Sequence, residues 1–241
     1  MAEKNAKQNA AETQPALSKH EDFVLKYKNM IIAGVVLLIA IIAGVIFYNK
    51  HKAAQQEEAA TVSAPEQLLL SQAVNELGSP TAFYGEKKYE AALNGDSLGH
   101  KGFLKIAEEY SSTDAGNLAN LYAGLCYAHM NKWEDAVKYL EKYDDAGDIL
   151  ISPAALGALG NAYAHVNQMD KAVSTLTKAA EKADNLLLSP IYYIQAGEIL
   201  ESQGKKAEAL KLYQKVKGMQ SMTQSSPYVD RIDEYIERVS E

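Results

Sequence analysis

Apolar residues in the second half of the chain recur at the three-to-four-residue spacing of amphipathic helices. The segments "WEDAVKYL" (133–140), "MDKAVSTL" (169–176) and "AEALKLY" (207–213) show this spacing, and each follows a longer segment rich in Ala, Gly and Tyr. Such spacing places the apolar side chains on one face of a helix. The sequence therefore predicts an all-α body built from pairs of helices.

A different apolar pattern occupies residues 30–48, "MIIAGVVLLIAIIAGVIFY", which contains no charge. Nineteen helical residues span about 28 Å, close to the thickness of the hydrocarbon core of a bilayer. We therefore expect a single transmembrane helix at 30–48. The alternative is a cleaved signal peptide, with "ATVSA" at 60–64 as its cleavage site. That alternative fits less well, because signal peptides have shorter apolar regions and shorter leaders.

Lysines flanking this span predict its orientation. Lys19, Lys26 and Lys28 precede it, whereas only Lys50 and Lys52 follow it closely. Cytoplasmic flanks carry the excess of positive charge. The bias predicts a cytoplasmic N-terminus and a translocated C-terminal body.

The polar segments on either side of the span predict no chemistry of their own. Residues 1–29 contain few large apolar residues and are expected to be a disordered tail. Residues 49–65 lack an apolar stripe and are expected to extend the span for a turn or two and then serve as a linker. The domain itself is predicted at 66–241.

The predicted domain repeats itself. An offset of 36 residues superimposes two phrases, and Ser-Pro recurs at 152, 189 and 226. A fixed period of this size is the signature of a helical solenoid. We assign clear repeats to 117–152, 153–189 and 190–226. The residues shared by the first two repeats at this offset include Gly124/Gly160, Tyr127/Tyr163, His129/His165, Asn131/Asn167 and Ala136/Ala172.

Each repeat is predicted to contain two antiparallel helices. Ser-Pro is suited to the start of the first helix, as cap and first-turn residue. Asn131, Asn167 and Gly204 are suited to the left-handed conformation that ends it. Glycine on the first helix and alanine on the second would allow close approach, as with Gly124 and Ala136. The residue four after that alanine is expected to face the next repeat; it is Leu140, Leu176 or Tyr213.

The ends of the solenoid are predicted to be closed by helices with one apolar face. An N-terminal cap is expected near 66–112, with an apolar stripe in "KGFLKIAEEY". A C-terminal capping helix is expected at 227–240, because its opposite face is charged. Its apolar stripe consists of Tyr228, Ile232, Tyr235, Ile236 and Val239.

Charge and cysteine content exclude some classes of function. Residues 1–49 carry a net charge of +1 and the remaining 192 carry −8. An acidic body argues against nucleic acid as a partner. Cys126 is the only cysteine, which rules out an intrachain disulfide framework and a cysteine-based metal site. It is expected to be a small buried helix residue.

The repeat resembles the tetratricopeptide repeat across about residues 117–218. Gly124, Tyr127, Trp133, Ala136 and Leu140 follow the pattern of that family in the first repeat. The resemblance implies an α-solenoid with a concave face that binds protein segments. Carried over position by position, it implies a candidate partner groove of Leu118, Leu121, Leu125, His129, Asn161, Ala164, His165, Ile191, Ile194, Glu198 and Glu201.

His129 and His165 raise the question of a metal site, because they share a repeat position. Neighbouring helices are about 10 Å apart, too far for one zinc ion to join both histidines. Neither a phosphate loop nor a nucleophile elbow nor a zinc-protease motif occurs in the sequence. We therefore predict no enzyme activity, no cofactor, no metal and no small-molecule substrate. The two histidines are expected to line the groove or to serve packing, and they are included among the candidate groove residues.

A short tail, one membrane helix and a tetratricopeptide body together resemble the ancillary subunits of the Sec translocon. That resemblance implies a single-pass protein of the bacterial inner membrane with a periplasmic domain. The implied partners are the translocon and an anchored periplasmic chaperone. A structural scaffold for envelope assembly, outer-membrane assembly or division is the alternative.

Overall fold

The computed structural model describes residues 37, 40–65, 67, 82–145, 147–219 and 227–240. The chain forms two compact units, Met1–His51 and Lys52–Glu241. In the first unit, residues 37 and 40–51 are helical with exposed side chains. No helix within the described ranges is both long and apolar enough to cross a membrane. Residues 30–36, 38 and 39 of the expected span lie outside those ranges, as does the expected tail, and both stay predictions.

The regular elements of the second unit are helices, and its described residues contain no strand. An isolated antiparallel bridge joins Gly95 to Lys101. Residues 52–65 form α1. The helices that follow are α2 (Ala82–Asn94), α3 (Phe103–Glu109), α4 (Asp114–His129), α5 (Trp133–Leu140), α6 (Ile151–His165), α7 (Met169–Ala183), α8 (Ser189–Ser202), α9 (Lys206–Gly218), α10 (Pro227–Asp230) and α11 (Ile232–Ser240).

Helix α1 differs from the linker expected at 49–65, because it is part of the packed domain. Ala59 is fully buried and belongs to the same apolar cluster as Phe103 of α3. The Gln56 amide donates to the Asp114 carboxylate at 2.7 Å and accepts from the Asp114 backbone N–H at 2.9 Å. Val62 also packs against that cluster, and the Tyr110 hydroxyl donates to the Glu58 carboxylate at 3.0 Å, so the segment is ordered by several contacts although it shows no apolar stripe.

The first helix of each repeat ends as expected, in a left-handed residue. After α4, the Lys132 N–H donates to the Tyr127 carbonyl at 2.9 Å, and the Asn131 N–H donates to the Ala128 carbonyl at 3.0 Å. This pair of bonds is the Schellman motif, which satisfies two carbonyls at a helix end. The same geometry recurs after α6 and α8. The backbone φ angles at the three stops are 58° at Asn131, 60° at Asn167 and 74° at Gly204.

The starts of α6 and α8 differ from the expectation that serine caps them. Leu150 and Leu188 are the N-cap residues, and Ser152 and Ser189 lie inside the first turn. The exposed first N–H groups instead bond to side chains in the preceding loops. Asp148 accepts from the N–H groups of Leu150 and Ile151 at 2.7 and 2.6 Å. In the next repeat Asn185 does the same for Leu187 and Leu188, at 2.9 and 2.8 Å.

Glycine allows the two helices of each repeat to pack closely, as predicted, but the contact residue is different. A Cβ atom added to Gly124 would lie 2.5 Å from Leu140 Cγ, and one added to Gly160 would lie 2.7 Å from Leu176 Cγ. Leu140 and Leu176 therefore pack against the glycine of their own repeat, and they also lie in apolar clusters with residues of the next repeat, the direction that the sequence predicts. Tyr213 occupies the same place beside Gly197.

Caps close both ends of the solenoid. At the N-terminal end, α2 and α3 contribute Tyr89, Phe103 and Ile106, each at most 1% exposed. At the C-terminal end, α11 packs on α9 and buries Ile232 and Val239. Tyr228, which the sequence assigned to the apolar stripe, is 46% exposed. The buried Cys126 lies in the N-terminal cluster, where burial raises the pKa of its thiol to about 12.

Helix α5 has eight residues, whereas its counterpart α7 has fifteen. The missing turns leave a cavity of about 480 Å³ beside the start of α6, lined in part by Tyr143 and Leu159. Asp145, in the connection that replaces those turns, pairs with Lys182 of α7. This ion pair lowers the pKa of Asp145 to about 2. The ion pair thus links this acidic connection to the second helix of the next repeat.

Candidate functional site

Four residues of the predicted groove line one depression on the first helices of the second and third repeats. Asn161, Ala164 and His165 come from α6, and Glu198 comes from α8. The depression has a volume of about 500 Å³. It is also lined by residues that the sequence did not assign to the groove, namely Trp133, Met169, Gln195, Ile199 and Ser202.

Five other predicted groove residues lie in the packing between helices. Leu121 is 4% exposed and Ile194 is 5% exposed, so neither offers a surface to a partner. The other three residues are half-buried and pack against the apolar clusters; they are Leu118, Leu125 and Ile191. The reason is the close contact between successive first helices, which covers side chains that would line a more open solenoid.

The two repeated histidines each stack on an aromatic ring, which is the packing role among the two that the sequence left open. The His129 ring stacks on Tyr89 with 4.9 Å between centroids, and the His165 ring stacks on Trp133 with 3.6 Å between centroids. Burial against its neighbours lowers the pKa of His129. Each histidine therefore covers an aromatic ring that precedes its own helix. The described part of the chain holds no cluster of side chains suited to a metal ion.

We expect His165→Ala to shift the fluorescence emission of Trp133 to longer wavelength, because the stacked ring would be replaced by water. Trp133 is the only tryptophan, so the signal is specific to this site. The free energy of unfolding should fall by about 0.5–1.5 kcal/mol, the value of an aromatic pair. His129→Ala is the matched control and should leave the emission unchanged. Emission spectra that are identical in both variants would contradict the stacking.

Two glutamates one turn apart on α8 have opposite surroundings. The Arg238 guanidinium of α11 donates to both oxygens of Glu201, at 2.7 and 2.8 Å, and the Tyr213 hydroxyl donates to one of them at 3.1 Å. The pairing with Arg238 lowers the pKa of Glu201. Glu201 therefore fastens the C-terminal cap and is not free to meet a partner. Burial instead raises the pKa of Glu198, which has no such bond among the described residues.

The Glu201 pair predicts a specific dependence of stability on pH. Because its folded-state pKa is lowered, Glu201 stabilises the fold above the ordinary glutamate pKa, and this contribution is lost as pH falls through the folded value. Glu201→Gln should cost about 1 kcal/mol at pH 7, a modest value for a partly exposed pair. The variant and the parent should converge in acid denaturation profiles. Glu234→Gln, at the exposed Arg231 pair, is the control, and equal losses in both variants would contradict the assignment.

The family is decided by the extent of the match rather than by the site. A sequence model of the tetratricopeptide repeat-like domain matches residues 21–231. The chain belongs to this family. No curated protein matches the chain.

Tetratricopeptide repeat-like domains are typically non-catalytic modules for protein interaction, and nothing in the described residues points to enzyme activity. In this tetratricopeptide protein the depression offers side-chain amides, an aromatic wall and one carboxylate. Asn161 Nδ2 donates to Gln195 Oε1 at 3.4 Å, a long bond that leaves most of the capacity of both amides unused. Such a surface is suited to binding a polypeptide segment.

The repeat period could have found two of the missed lining residues. Ser202 occupies the repeat position of His165, and Met169 occupies that of Trp133. Both were overlooked because their residue types differ from those in the preceding repeat. Gln195 carries no such signal, since its place beside Asn161 depends on the packing of α6 against α8.

Proposed function

We propose that this protein is a membrane-anchored scaffold that binds other proteins through the depression between α6 and α8. The observation that carries the proposal is the polar lining of that depression. Asn161, Gln195 and Glu198 present hydrogen-bonding groups that the fold leaves largely unused. Buried or half-buried polar groups are normally paired, so unused ones on a concave surface favour a partner.

The anchor in this proposal is the apolar segment 30–48, with the N-terminus in the cytoplasm and the domain in the periplasm of a bacterial inner membrane. The length of the segment and the flanking lysines support it. Among its described residues, 40–48 are helical and expose large apolar side chains, including Ile46 at 57% and Phe47 at 75%. Such a surface is unfavourable in water and favourable in lipid.

The partners in this proposal are the Sec translocon and an anchored periplasmic chaperone, and the role is to assist the handling or translocation of envelope proteins. The resemblance in architecture supports this choice, since a short tail, one span and a tetratricopeptide body occur together in the ancillary translocon subunits. The acidic domain adds that a neutral or basic polypeptide is favoured over an acidic one.

Photocrosslinking in cells tests the proposal. A photoreactive amino acid at position 161 or 198 would be activated in vivo, and the adducts would be identified by mass spectrometry. Position 208, exposed on α9 and outside the depression, is the control. Adducts with translocon subunits or a periplasmic chaperone at 161 and 198 alone are expected. Adducts with proteins of envelope assembly would favour the alternative scaffold, and adducts that are the same at all three positions would refute the groove.

A further inference from the structure

Glu198 is a carboxylate in the lining of the depression, and no described side chain donates a hydrogen bond to it. Burial raises its pKa, and the neighbouring Glu201 adds to the effect. The charge of Arg238 acts on Glu198, but its guanidinium donates two hydrogen bonds to Glu201. Glu198 is exposed, so a cation brought by a partner can reach its carboxylate.

The lining of the depression around Glu198 contains no lysine or arginine. Its companions in the lining are the Asn161 and Gln195 amides, the Ser202 hydroxyl, the stacked pair Trp133–His165 and apolar side chains. Glu198 also stands at the repeat position that holds Asn161 in the second repeat. The same place on the concave face thus changes from an amide to a carboxylate, with no change in the packing role of the helix.

We propose that the depression binds a lysine or arginine side chain of an extended segment of a partner protein, with the Glu198 carboxylate as its counter-ion. The inference rests on the proposed function, which supplies the polypeptide partner, and it adds the chemistry by which that partner is recognised. The occupant is fixed by charge complementarity, since the lining offers one unpaired carboxylate and neither lysine nor arginine.

The other lining groups fit the remainder of such a side chain. The flat wall of Trp133 and His165 suits the methylene groups of lysine or arginine, which pack on apolar surface while the charged end reaches a polar group. The Asn161 and Gln195 amides offer donors and acceptors to the backbone of an extended segment. An acidic or carboxylate-terminated segment would instead meet Glu198 with like charge.

This proposal can be tested with peptide libraries, because binding in the depression should change the fluorescence emission of Trp133. The probes are acetylated hexapeptide pools without tryptophan, each with one central residue fixed as Lys, Arg, norleucine or Glu and the other positions mixed. Each pool is titrated against the full chain in detergent micelles while the emission of Trp133 is followed. Glu198→Gln is the test variant. Glu208→Gln, which removes an exposed carboxylate from α9, is the matched control.

The Lys and Arg pools should bind about tenfold more tightly than the norleucine pool, as expected for a hydrogen bond to a charged group. Glu198→Gln should abolish that preference, and Glu208→Gln should retain it. The thermal midpoint of Glu198→Gln should equal or exceed that of the parent, which separates lost binding from lost folding. Peptides that bind equally whatever the central residue, or a preference that survives in Glu198→Gln, would overturn the inference alone. If no pool binds, both the inference and the proposed function fail.

Discussion

Replacing Leu176 with alanine is expected to lower the free energy of unfolding by about 2–5 kcal/mol, the usual cost of removing a buried leucine. Leu176 has no exposed surface and lies in the cluster that joins α7 to α8 and α9. Its Cγ atom also fills the space that Gly160 leaves open on α6. Chemical denaturation of the full chain, followed by circular dichroism, measures the loss.

Gly160, which packs against Leu176, should be almost as sensitive to a larger side chain as Leu176 is to a smaller one. In Gly160→Ala the new Cβ would lie 2.7 Å from Leu176 Cγ and 3.1 Å from its backbone nitrogen. We expect a loss of about 1–3 kcal/mol from overpacking, despite the better helix propensity of alanine. Gly218→Ala is the matched control, because a Cβ there meets nothing within 4 Å. The control should be neutral or slightly stabilising.

The double variant Gly160→Ala/Leu176→Ala tests whether the loss of stability in Gly160→Ala comes from contact with Leu176. With Leu176→Ala in the background, the added methyl group enters space that the leucine has vacated. Gly160→Ala should then cost less than in the parent, by about 0.5–3 kcal/mol of coupling. Additive losses would contradict the contact, since residues that do not touch usually act independently.

Much of this fold can be predicted from the sequence, because some backbone conformations and close contacts accept few residue types. A left-handed stop accepts few residue types, so Asn131 and Asn167 identify helix ends without knowledge of the fold. Gly124 and Gly160 likewise identify the contact between the two helices of a repeat, because a Cβ atom there would overlap the second helix. The same reasoning failed for Ser152 and Ser189, where Asp148 and Asn185 a few residues upstream had equal capping ability.

The candidate site was harder to read because it depends on contacts between repeats. The groove positions of the tetratricopeptide repeat, carried over one by one, identified Asn161, His165 and Glu198 as a group, and the structure places them in one depression. The same rule included Leu121 and Ile194, whose burial depends on how closely neighbouring helices pack. The role of Glu201 was also hidden, since its partner Arg238 lies 37 residues away in a helix whose register the repeat does not fix.

The second large effect is expected at the C-terminal cap, where Ile232→Ala should lower the free energy of unfolding by about 2–5 kcal/mol. Ile232 is 1% exposed and joins α11 to the cluster that contains Tyr213 and Val216 of α9. Tyr228→Ala is the matched control, because Tyr228 belongs to the same sequence stripe and is 46% exposed. It should change stability by less than about 0.5 kcal/mol.

The helices in which Ile232→Ala accelerates hydrogen exchange provide a sharper test than the change in the free energy of unfolding. Repeats of a solenoid contact mainly their neighbours, so a weakened cap should loosen the end of the array before its middle. In Ile232→Ala, hydrogen exchange should accelerate first in α8 and α9, while α4 and α5 remain protected. The Arg238–Glu201 bond would weaken with the cap, which would release a second carboxylate beside Glu198. Uniform acceleration through α4–α9 would instead mean that the domain unfolds as one cooperative unit.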